Sequence, residues 1–555
     1  MIEVIVIATV TVLVIAGATA LGPRLRLAGP LLLVLFGLGV SLLPFVPPFE
    51  LDPEVILVGV LPPLLYSAAV SLPAIEFRRD VRPISGLAVL LVLVSAVALG
   101  FFFHAVIPGL DLYLAIALGA ILRPTDAVAT SIAKRLGISR RVTTWLDGES
   151  LLNDATSLVI LRTMVAAAVT GSVPEGGIVG AFLWGVVVAI VVGSVIGYVN
   201  LRVRALVRNP AANTAVGFVV PFVAYLPTEA LGGSGLVAAV VAGIVTGQGA
   251  ARRFTPEQRL SDELNWRTVE LVLEGAVFLV MGLEVKDLWD SVSADGSGGL
   301  ERAVFLAATA LLIILAPRVV FVSVLVWGES RRARRAATHL PRVRTWPDRV
   351  PARARPRMLR FIKDLEYHRT TPLGWRHGTI MVWAGMRGVV TLAAAQTLPA
   401  ETPSRDLLVF VAFLVAVGSL LLQGSTLPWV VRMLGLDGEG DETVGREERL
   451  RLDQELRDAA AAALAEETLA RRDGESFPPE LIARVGDRYT RPPDDDTTAL
   501  VRDALELRLV LIRAMRQRLT ELSSGGAYST AVLRHALAEL DADELSLELR
   551  LDGED

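Results

Sequence analysis

The chain has no cysteine among its 555 residues, which excludes disulfides and thiolate chemistry, whether metal-binding or redox. Histidine is nearly as scarce. His104, His339, His368, His377 and His535 are scattered, without the His-x-x-x-His spacing on which a zinc site is built. Charge is thin as well: 20% of the residues are charged and 53% hydrophobic, against roughly 25% and 45–50% in soluble domains. A net charge of −4 is close to neutral for this length and gives no basic footprint for nucleic acid. No Gly-x-Gly-Asp motif lies within an apolar run, the one such string, Gly438 to Asp441, falling in an acidic linker, so an intramembrane hydrolase is not supported and neither enzyme activity nor a cofactor is expected.

What the sequence does have is hydrophobic length. Its apolar runs of about 20 residues suffice to cross a bilayer of about 30 Å as helices. Divided at their charged breaks, they predict about thirteen spans, beginning near Ile2, Ala28, Glu54, Gly86, Tyr113, Trp145, Ile178, Thr214, Gly233, Val269, Val304, Thr379 and Leu407. The first run has Glu3 before it and Arg24 and Arg26 after it, the reverse of a secretory signal, and reads as a retained span. The loops test the count. PRLR, EFRRDVRP, AKRLGISRR, LRVRALVR, GAARRFTPEQR and the segment from Gly328 to Arg376 hold nearly all the loop Lys and Arg, whereas the intervening loops hold almost none. Cytoplasmic loops carry the basic excess, so the N-terminus is expected outside, the C-terminus inside and the protein in the cell membrane. The basic segment from Gly328 reads as a solvated loop, with anionic lipid headgroups as its alternative contact. Residues 1–436 form the expected membrane domain. Residues 437–555 open on the acidic linker DGEGDET and continue as charged runs with Leu and Ile three and four apart, the pattern of a small helical cytoplasmic domain.

Ionisable side chains inside a span are costly and mark function by default. Three clusters stand out. In LRPTDAVA, Pro124 removes a backbone donor and breaks the fifth span. Thr125 offers oxygens there, Asp126 counters exposed helix amides, and Arg123 adjoins them. In DGESLLNDATSLVILR, Ser150, Asn153, Asp154 and Ser157 follow the i, i+3, i+4, i+7 pattern and make one polar stripe. Oxygen ligands of this kind suit a hard, weakly held cation. Glu149, five residues before Asp154, points about 140° away, and Arg162, eight residues after it, lies about 80° off the same face. In MVWAGMRGVVTLAAA, Arg387 stands between Gly385 and Gly388 and needs a carboxylate or helix carbonyls as partner. Glu229, Glu270, Glu274 and Arg318 read as structural charges, each a partner for another buried group or an interfacial residue.

LPPLLYSAA, LRPTDAVA, KRLGISRRVTTWLDGESLLNDATSLVILR and WAGMRGVVTLAAA, in this order and spacing, resemble the bacterial NhaP-type cation:proton antiporters, relatives of the animal sodium/proton exchangers. The resemblance implies an all-α fold of thirteen spans with inverted repeats, a dimerisation part, and a core part with two crossed, broken helices. It implies a homodimer, and sodium ions and protons as the exchanged species. Asp154 would be the shared carrier, binding Na+ transiently beside Asn153, with Thr125 and Ser150 adding oxygens. Glu149 would form a buried ion pair with Arg387, and Asp126 would balance the helix ends at the crossing. This chain departs from the pattern at Ser67, where an acid is usual, at Arg123, where a small residue is usual, and at Ala127, where proline is usual. Ser67, Arg162 and Arg123 are therefore accessory candidates.

Burial disfavours an ionised carboxyl and a bound cation favours it, so a proton and a cation compete for one acid. The empty ionised form is costly to move across a membrane, which couples the two fluxes. The expected exchange is electroneutral, one cation (Na+, with K+ or Li+ as alternatives) per proton. An uncoupled cation channel and a transporter of another solute are the competing readings.

Overall fold

The computed structural model describes residues 2–25, 29–43, 53–122, 127–170, 177–294, 299–343, 351, 353, 355–385, 390–399 and 401–438, with scattered residues beyond: 454, 456–464, 477, 478, 480, 482, 505, 507–512, 514, 515, 539, 540 and 542–548. Among the described residues there are helices and no strands. The chain divides into two compact units, Met1–Glu442 and Thr443–Asp555. In the second, Leu505, Leu509, Ile512 and Leu547 form a small apolar cluster.

The first unit begins with α1 (Ile2–Leu25), α2 (Gly29–Ser41) and α3 (Leu61–Ser71). Pro62 and Pro63 cannot donate to the carbonyls one turn back, and the stretch before them, Val55–Val60, widens into a π-helical turn. Short α4 (Ala74–Arg79) and α5 (Val81–Ser85) lead through a second π-helical stretch, Gly86–Leu91, into α6 (Val92–Val106). α7 (Leu112–Ile121) is capped by Asp111, whose carboxylate accepts from the Tyr113 N–H at 2.8 Å. α8 (Ala127–Arg135), α9 (Arg140–Thr170) and α10 (Gly177–Leu206) follow. α11 (Pro210–Ala230) starts on an Asn209 cap with proline at its first position, and α12 (Gly235–Arg253) follows a tight turn. α13 (Pro256–Leu283) opens with a Thr255–Gln258 capping box. α14 (Val285–Ala294), α15 (Gly299–Val343), α16 (Arg355–Thr370), α17 (Trp375–Trp383), α18 (Val390–Gln396) and α19 (Arg405–Leu434) complete it, with Gly435 in the left-handed conformation closing α19.

Six of the described helices are long and apolar enough to cross a membrane, and five shorter apolar helices accompany them. They pack in two groups. α2, α3, α10, α11, α12 and α13 form a panel in which α12 lies on α3 and α10, and α13 on α2. α6, α7, α9, α15, α17, α18 and α19 form a bundle, with α7 on α6 and α9, and α19 on α15 and α18. Helices in lipid gain little from a hydrophobic drive and associate through close packing of small residues. The α2–α13 crossing shows why glycine is needed: a Cβ at Gly37 would run into the Leu279 carbonyl, and one at Gly282 into the Val34 carbonyl.

Two departures from the sequence reading concern helix ends. α9 begins at Arg140 and α13 at Pro256, so both extend past the apolar runs that suggested them. The segment from Gly328, read as a loop, is largely helical: α15 runs on to Val343 and α16 follows. Alanine and arginine, the main residues of RRARRAA, are among the strongest helix formers, so the helix continues where hydrophobicity stops.

Candidate functional site

Two helical passages of the bundle are interrupted. α7 ends at Ile121, with Leu122 turned out of helical geometry (φ −79, ψ 40), and α8 resumes at Ala127. α17 ends at Trp383 and α18 resumes at Val390. α7 touches α18, and α9 packs against α7, α8 and α17. Arg123, Thr125, Asp126 and Arg387 come between these helix ends in the sequence and lie outside the described residues.

α9 carries the polar stripe. Asn153 is fully buried; Asp154, near the middle of the helix, and Ser150 are half-buried. The Ser157 hydroxyl donates to the Asp154 backbone carbonyl at 3.2 Å, and Thr156 donates to that of Leu152 at 2.8 Å. These hydroxyls answer carbonyls one turn back, a bonding pattern that loosens a helix locally.

The other acids near the start of α9 are bound to cations. Asp147 meets Lys134 of α8 at 2.9 Å. Glu149 is held by Arg318 of α15, through Nη1 to Oε1 and Nη2 to Oε2 (3.0 Å), both side chains being 1% exposed. Arg318 also donates from Nε (3.1 Å) and Nη2 (2.7 Å) to the Met381 carbonyl near the end of α17. The partner seen for Glu149 is Arg318, read from sequence only as a structural charge; the expected partner, Arg387, lies outside the described residues. The bidentate fork satisfies both carboxylate oxygens, and a Cβ at position 385 would strike the guanidinium, so Gly385 makes room for it.

Two of the accessory candidates, Ser67 and Arg162, are engaged. Ser67, buried on α3, donates to Glu270 Oε1 of α13 at 2.6 Å, so a carboxylate of a neighbouring helix stands against the position where the resemblance expected an acid. Arg162 of α9 reaches Glu229 and, at 3.1 Å, the Tyr225 hydroxyl, both on α11.

A second buried cluster was not singled out in the sequence. Arg141, at the start of α9, donates from Nε and Nη2 to Asp80 (2.9 and 2.8 Å), from Nη2 to Glu329 of α15 (2.6 Å) and from Nη1 to the Thr371 carbonyl (2.8 Å). The Tyr367 hydroxyl of α16 donates to Asp80 Oδ2 at 3.0 Å, and His368 Nδ1 lies 3.3 Å from Glu329 Oε2. Burial, and then the charge of Asp80, push the Tyr367 phenol well above the ordinary tyrosine range. Asp80, Glu329 and His368 bring ligand atoms within 4.8 Å of one another, but the Arg141 guanidinium already answers both acids. The cluster reads as structural. No signal marked it, since Asp80 and Arg141 sit in loops crowded with arginine.

The transmembrane sodium/hydrogen exchanger family matches residues 9–433. Across 98% of its length the chain is 30% identical to the uncharacterized Na(+)/H(+) exchanger Rv2287 of Mycobacterium tuberculosis, of which it covers 96%. It is 28% identical to the Na(+)/H(+) antiporter ApNhaP of Aphanothece halophytica, over 74% of this chain and 70% of that one. In structure it is similar to the sodium proton antiporter MjNhaP1 from Methanocaldococcus jannaschii, with a TM-score of 0.59 and 15% identity, covering 78% of this chain and 99% of that one. At that identity the likeness speaks for the fold alone.

Proposed function

The chain belongs to the sodium/hydrogen exchanger family, a family of membrane antiporters, and from that premise we propose that it exchanges sodium ions for protons with Asp154 as the shared carrier. The supporting observation is the placement of Asp154, half-buried in mid-helix beside buried Asn153, on a helix packed against both interrupted passages. An anion in that position can hold a proton or a small cation but not both, and movement of the bundle against the panel carries whichever is bound. Ser150 and Thr125 supply further oxygens to the cation, and Asp126 and Arg387 balance the helix ends.

We carry forward thirteen crossings in two inverted repeats, the N-terminus outside, residues 437–555 as a cytoplasmic helical domain, and a homodimer. The alternation of basic and non-basic loops supports the orientation. Exchange is one for one and electroneutral, because Asn153 occupies the place where a second carboxylate would add a charge.

The test is reconstitution into liposomes with an internal pH reporter, titrated in turn with Na+, K+ and Li+. Added Na+ should move protons, and Asp154→Asn should abolish the response while the protein still assembles. Near-normal exchange in Asp154→Asn removes the carrier assignment. Loss of a pH gradient without counter-cation identifies a channel instead, and a rate that follows an imposed membrane potential rules out one-for-one exchange.

A further inference from the structure

The bundle and the panel must part and rejoin if α9 is to present Asp154 to each side in turn, so an ion pair that ties α9 to the panel has to break in every cycle. Arg162 makes such a tie. It lies eight residues beyond Asp154, about 12 Å along the helix, toward the end that the positive-inside reading puts outside. Its partners, Glu229 and Tyr225, belong to α11 of the panel. Glu229 is anchored on its own side, because its Oε1 accepts from the Gly235 N–H at the start of α12 at 2.8 Å. When the groups separate, Glu229 stays with the panel and Arg162 leaves with α9.

Burial sets this pair apart from the two arginine pairs nearer the start of the same helix. Glu149–Arg318 and Arg141–Asp80 are 1% exposed on both sides. Breaking either would strand a desolvated charge. Arg162 and Glu229 are 42% and 28% exposed, so neither charge is sealed within the helix packing as they part, and a pair of this kind is weak enough to open. We propose that Arg162 and Glu229 form a reversible latch on the outer side, closed here, whose opening admits the outside solution to the Asp154 site. This rests on the exchanger reading and adds a named gate to it.

The absence of cysteine makes the latch directly testable, since any thiol introduced is the only chemistry of its kind in the chain. Arg162→Cys with Glu229→Cys, joined by a reversible bis-methanethiosulfonate linker in liposomes, should lose at least about tenfold in exchange rate and regain it on reduction. A one-armed reagent should leave the rate unaffected. Full exchange by the linked protein overturns the latch. A second measurement does not depend on transport: a membrane-impermeant maleimide added outside should label Ser157→Cys on the order of two- to fivefold faster when Glu229→Gln is also present, in keeping with the modest strength of such pairs. An unchanged labelling rate overturns the proposal. If the unlinked double cysteine protein and the parent both fail to exchange cations, the exchanger reading has failed and the labelling rate still decides the latch.

Discussion

Arg318 joins Glu149 of α9 to the Met381 carbonyl near the end of α17, fastening a long helix to an interrupted one through a single guanidinium. Five donors in a fixed fork suit this task, because the carboxylate takes two hydrogen bonds and the carbonyl two more without any group deprotonating.

Removing one member of that pair leaves a buried charge without its partner. Glu149→Ala or Arg318→Ala should each lower stability by about 3–5 kcal/mol, seen as a lower melting temperature in detergent. The double replacement Glu149→Gln with Arg318→Met should recover much of that loss. Two independent, additive losses would show that the pair is not the unit.

Gly385→Ala tests the room left for the guanidinium. The added methyl would meet the Arg318 side chain, and overpacking of this kind costs about 1–3 kcal/mol. Thermal unfolding should show the loss, and the same change in an Arg318→Ala background should cost far less.

Arg141 holds Asp80, Glu329 and the Thr371 carbonyl together. Arg141→Ala takes the guanidinium from Asp80 and leaves Glu329 to Arg332 and His368, and Arg141→Lys cannot reproduce the fork. Both should destabilise the protein and speed proteolysis of α16, with lysine the milder; equal rates in variant and parent would show that the cluster does not hold α16 in place.

The Tyr367 phenol is raised by burial and by Asp80, so its neutral form is favoured in the folded chain. With the folded value above the unfolded one, its contribution to stability is complete below the ordinary tyrosine range and fades as pH climbs through the folded value. In an ultraviolet titration, the absorbance difference between the parent and Tyr367→Phe should lack a phenolate step in the ordinary range. A normal step there would show that the hydroxyl does not stay a donor to Asp80.

Much of the architecture was legible because lipid imposes simple rules. Apolar length marked the helical passages, and α7 closes at its cap residue Leu122, two residues before Pro124 in the sequence. The partner of Glu149 was not legible. Arg318 stands 169 residues away in sequence, and one-dimensional geometry gave the direction of Glu149 but not the helix it faces. Both Arg318 and Arg387 stand in apolar runs, and that Arg318 meets Glu149 is a matter of tertiary packing. The Arg141 cluster was hidden for the opposite reason: in loops full of arginine no single one stands out. Helix length was misjudged wherever helix-forming polar residues prolonged an apolar run, as in α15.

The crossing of α2 and α13 has a mechanical side. Where Gly37 and Gly282 bring main chain against main chain, no rotamer can turn aside and no methyl can slip between neighbours. Such a joint has no slack, so the two helices travel as one plank, and any displacement the molecule makes has to be taken up along seams lined with side chains.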